Sequence, residues 1–155
     1  MLSASTSDDA DRRDQFDLDR FLLAQESQYA QALAELQSGR KRTHWMWYVL
    51  PQLKELGESR MAHQYGLASI EEARAYLAHP VLGPRLDACV EALLALHENN
   101  ARVVLGFPDD LKLRSCATLF GRASASSSSI FARLLEKYFG GVEDPETVRL
   151  LGAPT

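Results

Sequence analysis

The chain has 155 residues, of which 46% are hydrophobic and 25% are charged, and its formal net charge is −4. This composition is typical of one globular domain with a substantial core. The acidic balance argues against a surface that attracts nucleic acid or anionic membrane over its whole extent. Any basic site must therefore be local, and the tight cationic run is Arg40-Lys41-Arg42.

The beginning of the chain predicts a tail rather than a targeting segment. Residues 1–15 are small, polar and charged, so we expect a disordered tail followed by one helical domain over residues 16–152. No apolar run approaches the ~20 residues that cross a bilayer. The two cysteines, Cys89 and Cys116, lie far apart and fit reduced, buried thiols. We therefore expect a cytoplasmic protein without membrane contact.

The first predicted element is a long helix. Apolar residues recur at helical spacing from Asp17, a predicted N-cap, to Gly39, a predicted left-handed stop. Gln25 interrupts this stripe, because it stands where an apolar residue belongs. The segment Arg40 to Gln52 follows and contains both tryptophans. Residues 43–50 are too short a run to distinguish a short helix from an extended segment.

Six further helices are predicted from their caps and stops. Ser69 and Glu72 form a Ser-x-x-Glu capping box. The helix from Asp109 or Asp110 to about Gly121 is apolar over much of its circumference, which is typical of a central buried helix. No repeat and no convincing set of alternating strands occurs, so the sequence predicts one all-α domain of six to eight helices. The other boundaries are Ser59 and Gly66, Pro80, Pro84, a bend over 103–110, the serine-rich connector 124–129, Gly140-Gly141, and Asp144-Pro145.

The usual sequence labels of metal sites and nucleotide enzymes are absent. No two of the four histidines, His44, His63, His79 and His97, stand three or four residues apart, and no Cys-x-x-Cys occurs. The chain also lacks a phosphate-cradling P-loop, a dinucleotide-binding glycine turn and a nucleophile elbow. We therefore expect neither a metal site nor a bound cofactor.

Polar residues within apolar stripes have two interpretations. Buried amides such as Gln25 usually tie helices together, and a lysine such as Lys112 usually extends its ammonium group to water. Both residues would instead serve a function if they faced a polar cavity. The segment 40–52 also has two interpretations. Cations are expected after a helix C-terminus and tryptophans are usually core, but cations beside indoles also suit a planar, phosphorylated ligand.

Four sequence blocks carry a resemblance to a known family. These blocks are "DLDRFLLAQ" (17–25), "YAQALAELQSGRKRTHWMWYVLPQL" (29–53), "AYLAHPVLGPRL" (75–86) and "DDLKLRSCATLF" (109–120). They resemble the bacterial family known as domain of unknown function 1810 (DUF1810), in order and over nearly the whole chain. That resemblance implies a small, single-domain helical protein and brings no established activity. The family's motif positions correspond to Phe21, Gln25, Tyr29, Gly39, Lys41, His44, Trp45, Trp47, Pro51, Gln52, His79, Pro80, Leu82, Asp110, Lys112 and Leu119-Phe120.

The family is in turn distantly similar to the NADAR proteins, helical domains associated with NAD and ADP-ribose metabolism. This second resemblance implies a pocket for a ribosyl-phosphate ligand and cleavage of an N-glycosidic bond. Such chemistry needs an anion holder, a stacking wall and an acid–base group. The resemblance suggests Lys41 with Lys112 for the first, Trp45 or Trp47 for the second, and Asp110, His44 or His79 for the third.

The leading hypothesis is a monomer or weak homodimer that binds a small phosphorylated or nucleotide-like ligand. This hypothesis extends to hydrolysis of the bound ligand. The pocket is expected where the first long helix, the His-Trp segment and the helix from Asp110 meet. The alternative is a non-catalytic module that contacts nucleic acid or protein through segment 40–52. Burial of the two tryptophans discriminates between them. The predicted site comprises Asp110, His44 and His79 as catalytic residues, with Gln25, Lys41, Trp45, Trp47, Gln52 and Lys112 as ligand-binding residues.

Overall fold

Ten α-helices and one short 3-10 turn make up the chain over residues 15–125 and 129–152, the part described by the computed structural model. Within these residues there is no β-strand, only an isolated parallel bridge between Leu53 and Leu67. The all-α, single-domain prediction is confirmed. The predicted tail lies outside the described residues except for Gln15. No helix in the described ranges is long and apolar enough to cross a membrane.

The helices follow one another through short connections. In chain order they are α1 (Asp19–Glu26), α2 (Tyr29–Ser38), α3 (Met46–Val49), the 3-10 turn (Lys54–Leu56), α4 (Arg60–Tyr65), α5 (Ile70–Ala78), α6 (Leu82–Ala95), α7 (Ala101–Leu105), α8 (Asp109–Ala123), α9 (Ile130–Phe139) and α10 (Pro145–Leu151).

The first predicted helix is in fact two. Ser27 and Gln28 interrupt it between α1 and α2, in keeping with the tendency of serine to favour turns over helix interiors. Asp17 is not an N-cap and instead adopts a left-handed φ of 52°. The Arg20 guanidinium donates to the carbonyl oxygens of Phe16 and Asp17 and so stabilises this turn. Gly39 does end α2 in the left-handed conformation, as predicted.

Two other segments differ from the expectation. Residues 43–50 contain the short helix α3, so the ambiguity there is resolved in favour of a helix. The predicted bend after residue 102 overlaps the helical turn α7, which the side chain of Asn100 caps by accepting from the Arg102 N–H. These short helices, with the break after α1, raise the number of helices above the six to eight expected. One half of the predicted capping box is formed, because Ser69 Oγ accepts from the Glu72 N–H at 3.2 Å, whereas the Glu72 carboxylate accepts from the Ala68 N–H at 2.8 Å rather than from that of Ser69.

Helix α8 is the centre of the domain, as its apolar circumference predicted. It packs against α5, α7, α9 and α10. Phe120 is fully buried and stacks with Phe131 of α9. Cys116 on α8 and Cys89 on α6 are free, buried thiols. Burial raises the pKa of the Cys89 thiol to about 12, so this thiol stays protonated at neutral pH and behaves as part of the core.

Gln25 has a structural role in the core. Its side chain is 1% exposed. Its Nε2 donates to the Tyr48 carbonyl oxygen at 2.6 Å and to the Tyr76 hydroxyl at 3.1 Å, and its Oε1 accepts from Arg85 at 3.3 Å. These contacts join the end of α1 to α3, α5 and α6. The amide that breaks the apolar stripe therefore ties four helices together.

We expect Gln25→Ala to lower the free energy of unfolding by about 2–4 kcal/mol, because it leaves a cavity and a buried carbonyl without its donor. Urea denaturation followed by circular dichroism measures this loss. The control Gln37→Ala, at an exposed position of α2, should change stability by less than about 0.5 kcal/mol. Equal stability of the two variants would show that the Gln25 hydrogen bonds contribute nothing net.

Candidate functional site

The buried carboxylate of Glu35, on α2, fixes the conformation of the segment that carries both tryptophans. Glu35 is 3% exposed and accepts five hydrogen bonds, all from uncharged groups. The Trp45 indole N–H donates to it at 2.9 Å, the Thr43 hydroxyl at 2.6 Å and the Arg42 backbone N–H at 2.7 Å. Gln31 and the Thr43 backbone N–H supply the other two. The chain after α2 is therefore wrapped around one anion.

These contacts determine the ionisation of Glu35. Burial alone would raise its pKa, but hydrogen bonds from Thr43, Arg42 and Gln31 outweigh that effect and hold the pKa far below its ordinary value of 4.5. Glu35 is thus ionised at neutral pH although it lies in the core. A backbone hydrogen bond from Lys41 to the Val104 carbonyl oxygen, 2.7 Å long, ties the same segment to α7.

Two lysines converge on Asp109 at the start of α8. Lys41 Nζ lies 3.0 Å from Asp109 Oδ2, and Lys112 Nζ lies 3.5 Å from Oδ1. Each ammonium group also faces an indole ring, Lys41 at 5.2 Å from the centroid of Trp45 and Lys112 at 5.6 Å from that of Trp47. The Lys41 side chain is only 8% exposed. We call these five residues the lysine clamp.

Four members of the clamp, all except Lys112, border a cleft of about 370 Å³ between the His-Trp segment and the loop that connects α7 to α8, and Lys112 reaches it only through its ion pair with Asp109. Trp45 is fully buried in the wall of this cleft. Trp47 is half-buried, and Phe107 is 65% exposed at the rim. Arg42 and His44 are exposed on the same side. The lining residues are Lys41, Arg42, His44, Trp45, Met46, Trp47, Leu105, Phe107, Pro108 and Asp109.

A second, wider cleft of about 630 Å³ lies on the other side of Pro108 and Lys112. Gln52 and Lys112 line it, together with residues of α4, α8 and the start of α10. A void of about 10 Å³ behind Trp47 is bordered by Gln52 and Lys112 as well, and it is too small to admit a ligand. The predicted pocket is therefore divided, with Lys41, His44, Trp45 and Trp47 on one side and Gln52 and Lys112 on the other.

Three predicted site residues lie apart from both clefts. Gln25 is in the core, as described above. Asp110 is buried beside α7, where its Oδ2 accepts from Arg102 at 3.3 Å and its Oδ1 has no hydrogen-bond partner among the described residues. His79 precedes α6, and its Nδ1 accepts from the backbone N–H groups of Val81 and Leu82. Asp110 at the start of α8 and His79 before α6 thus make structural contacts.

Sequence reasoning missed the carboxylates that organise this region. Like Gln25, Glu35 is a polar residue on an apolar helix face. It stands beside Ala32 and Leu36 on the buried face of α2. Asp109 and Asp110 are adjacent, and one helical step turns the side chain by about 100°. That step decides which of the two reaches the clamp, and no sequence signal distinguished them. Over the described ranges, no group of three histidine, cysteine or acidic side chains is arranged to hold a metal ion.

Comparison with known proteins identifies relatives of this chain. The model of the family described as "Protein of unknown function (DUF1810)" matches residues 15–151. The crystal structure of the conserved hypothetical protein Rv1873 from Mycobacterium tuberculosis is similar, with 48% sequence identity and a TM-score of 0.87. That match covers 90% of this chain and 99% of the other. A search of the curated proteins found no match.

The low pKa of Glu35 predicts a pH-dependent contribution to stability. Because the pKa is lower in the folded state than in the unfolded state, this contribution is present above about pH 4.5 and declines as the pH falls further. We expect Glu35→Gln to lower the free energy of unfolding at pH 7 by about 2–4 kcal/mol, since an amide leaves some buried donors unpaired.

Urea denaturation of the wild type and Glu35→Gln at pH 7 and pH 3.5 measures this dependence. The difference between the two proteins should be smaller at the lower pH. Glu26→Gln, which alters an exposed glutamate of α1, should show a small and nearly constant difference from wild type. A Glu35→Gln difference that does not shrink on acidification would contradict the assignment of Glu35 as a buried anion.

Proposed function

The chain belongs to the DUF1810 family, and because that family's description assigns no activity, we propose a function from the chemistry of the cleft itself. We propose that the 370 Å³ cleft binds a small anionic ligand of the phosphorylated or nucleotide-like class. The anionic group of the ligand lies at the lysine clamp, and the planar or apolar part lies against Trp47 and Phe107.

The observation that carries this proposal is the lysine clamp. Lys41 and Lys112 come from different parts of the chain, yet their ammonium groups meet at the two oxygens of one carboxylate. With Arg42 on the rim, three cations stand against two carboxylates, Asp109 in the clamp and the buried Glu35 behind Trp45. This local excess of positive charge occurs in a protein whose net charge is −4. The Lys41 ammonium group, over the Trp45 ring, is largely shielded from water, which strengthens its attraction toward an incoming anion.

The size and walls of the cleft suit a small molecule. A volume of about 370 Å³ is at the lower end of the range of roughly 300–1,000 Å³ that ligand pockets occupy. Phe107 is an exposed aromatic ring at the rim, and Trp47 is half-buried in the wall. Aromatic faces of this kind stack on planar groups such as nucleobases. The cleft therefore combines charge for a phosphate with a surface for a ring.

The same geometry gives less support to the alternative, a non-catalytic surface for nucleic acid or protein. That function favours two indoles presented on a flat basic face. Instead, Trp45 is fully buried and its N–H is bonded to Glu35. Arg40 and Arg42 are exposed, but Tyr48 of the same segment is buried as well and Trp47 is half-buried. We therefore favour a small ligand.

Cleavage of an N-glycosidic bond is the catalytic extension of this proposal, and it rests only on the resemblance to NADAR proteins that the sequence suggests. Such a reaction needs a group that exchanges a proton near neutral pH. Of the three acid–base candidates, His44 lines the cleft, whereas Asp110 and His79 make their contacts elsewhere. His44 is thus the candidate for this role, with Asp109 as the carboxylate of the same cleft.

Binding is tested by a thermal-shift screen against NAD, ADP-ribose, nucleotides and phosphosugars. A ligand present at about 100 times its Kd should raise the Tm of the wild type by roughly 5–10 °C. Lys41→Ala and Lys112→Ala should remove most of that shift while the proteins stay folded. Lys54→Ala, at an exposed position that lines neither cleft, should keep it.

Two outcomes would contradict this expectation. One is an absence of stabilisation by any compound of the screen. The other is a ligand that stabilises Lys41→Ala as strongly as the wild type. If Lys112→Ala unfolds without ligand, Lys112→Met retains the apolar stem and separates the role of the charge from that of packing.

Catalysis is tested by incubating the protein with each stabilising compound and separating the products chromatographically. We expect release of the base from a ribosyl ligand by the wild type, and a loss of about 100-fold or more in rate for His44→Ala. His63→Ala, which alters an exposed histidine of α4, should retain the activity. Stabilisation without any product in the wild type would restrict the function to binding.

A further inference from the structure

We propose that Asp109 is a built-in competitor, which occupies the anion position of the cleft until a ligand displaces it. This inference rests on the proposed function and adds a ligand-exchange step to it. The carboxylate contacts both ammonium groups, one through each oxygen, as a bound phosphate or carboxylate would. Asp109 therefore stands in for the ligand's own anionic group.

The lysines are held in place by more than Asp109. Lys41 lies over the Trp45 ring, which is fixed by Glu35, and its backbone N–H is bonded to Val104. Lys112 lies over the Trp47 ring and projects from the second turn of the long helix α8. Withdrawal of the carboxylate would thus leave two ammonium groups near their present positions. The anion position is preformed.

Asp109 is the member of the clamp that can leave. It is the first residue of α8, directly after Pro108, and its side chain is 17% exposed. Rotation about its Cα–Cβ bond moves the carboxylate without moving the helix. Its neighbour Asp110 cannot take its place, because that carboxylate is buried against α7 and paired with Arg102.

Displacement of Asp109 costs free energy, and anions of different charge offset that cost to different extents. A ligand with a single negative charge brings no more charge to the lysines than the carboxylate that it replaces. A ligand group with two or more charges, such as a phosphate, gains attraction from both ammonium groups and from Arg42 at the rim. The cleft should therefore discriminate against chloride and simple carboxylates at ordinary salt concentrations.

The competitor model makes a quantitative prediction about Asp109→Asn. The asparagine keeps the size of the side chain but loses the charge that pairs with the two lysines. Every ligand that displaces Asp109 pays the same cost in the wild type, so its removal should tighten binding of different anions by the same factor. We expect that factor to be at least about tenfold, because the state with the carboxylate withdrawn is a minor one.

The experiment is titration calorimetry of wild type and Asp109→Asn with sulfate and with pyrophosphate, at fixed ionic strength. Sulfate carries two charges and pyrophosphate carries more. Equal tightening for the two anions supports displacement. Asp19→Asn removes one charge from an exposed position of α1 and controls for the general field of the protein, and it should change both affinities little.

The other outcomes each overturn a defined part of the inference. Tightening that grows with the charge of the anion would mean that Asp109 stays in place and repels a ligand bound beside it. Weaker binding by Asp109→Asn would make Asp109 a residue that positions the lysines. Binding that is unaffected in Asp109→Asn but lost in Lys41→Ala would remove the competitor role and leave the proposed function intact. No binding of either anion by either protein would remove both.

Discussion

The candidate site depends on a single buried anion, the carboxylate of Glu35. Four of its five hydrogen bonds come from the chain that leaves α2, and they replace the regular backbone bonding that this irregular stretch lacks. Through the Trp45 indole they also fix the ring on which Lys41 rests. Glu35 positions Trp45, Trp45 supports Lys41, and Lys41 pairs with Asp109 at the cleft. A core residue thus sets the electrostatics of a surface site.

This arrangement explains why a basic and aromatic stretch need not be a nucleic-acid surface. Its conspicuous residues face different ways: Trp45 points inward to Glu35, Trp47 forms a wall, and Arg42 and His44 remain at the rim. Neighbouring basic and aromatic residues can therefore lie in the core, in the wall of a cleft and at its rim. The function that we propose uses the wall and rim, while the core contributes only rigidity.

Much of the fold was predictable because its signals are local. The N-cap at Ser69, the stop at Gly39 and the apolar circumference of α8 each depend on a few neighbouring residues, and all three are present in the structure. The break after Glu26 and the turn α7 were not predicted. Their local signals, Ser27 at the break and the Asn100 cap of α7, are ambiguous, because serine and asparagine are also common in loops.

The site was predictable only in part, for a related reason. Lys41, His44, Trp45 and Trp47 do border one cleft, since they are close in sequence and remain close in space. Gln25, Asp110 and His79 have polar side chains that hold helices and caps together, and a sequence cannot separate that role from a functional one. The choice of Asp109 over Asp110 rests on one step of a helix whose first residue is set by Pro108.

The position of the two tryptophans has a spectroscopic consequence. The chain contains only Trp45 and Trp47, and both border the same cleft, one bonded to Glu35 and the other facing Lys112. Indole emission excited at the red edge of protein absorbance therefore originates entirely from this one region, and the remaining helices contribute no signal. The molecule thus carries its own unlabelled fluorescent reporter, placed where a change in the charge around the two indoles would alter the colour and intensity of their light.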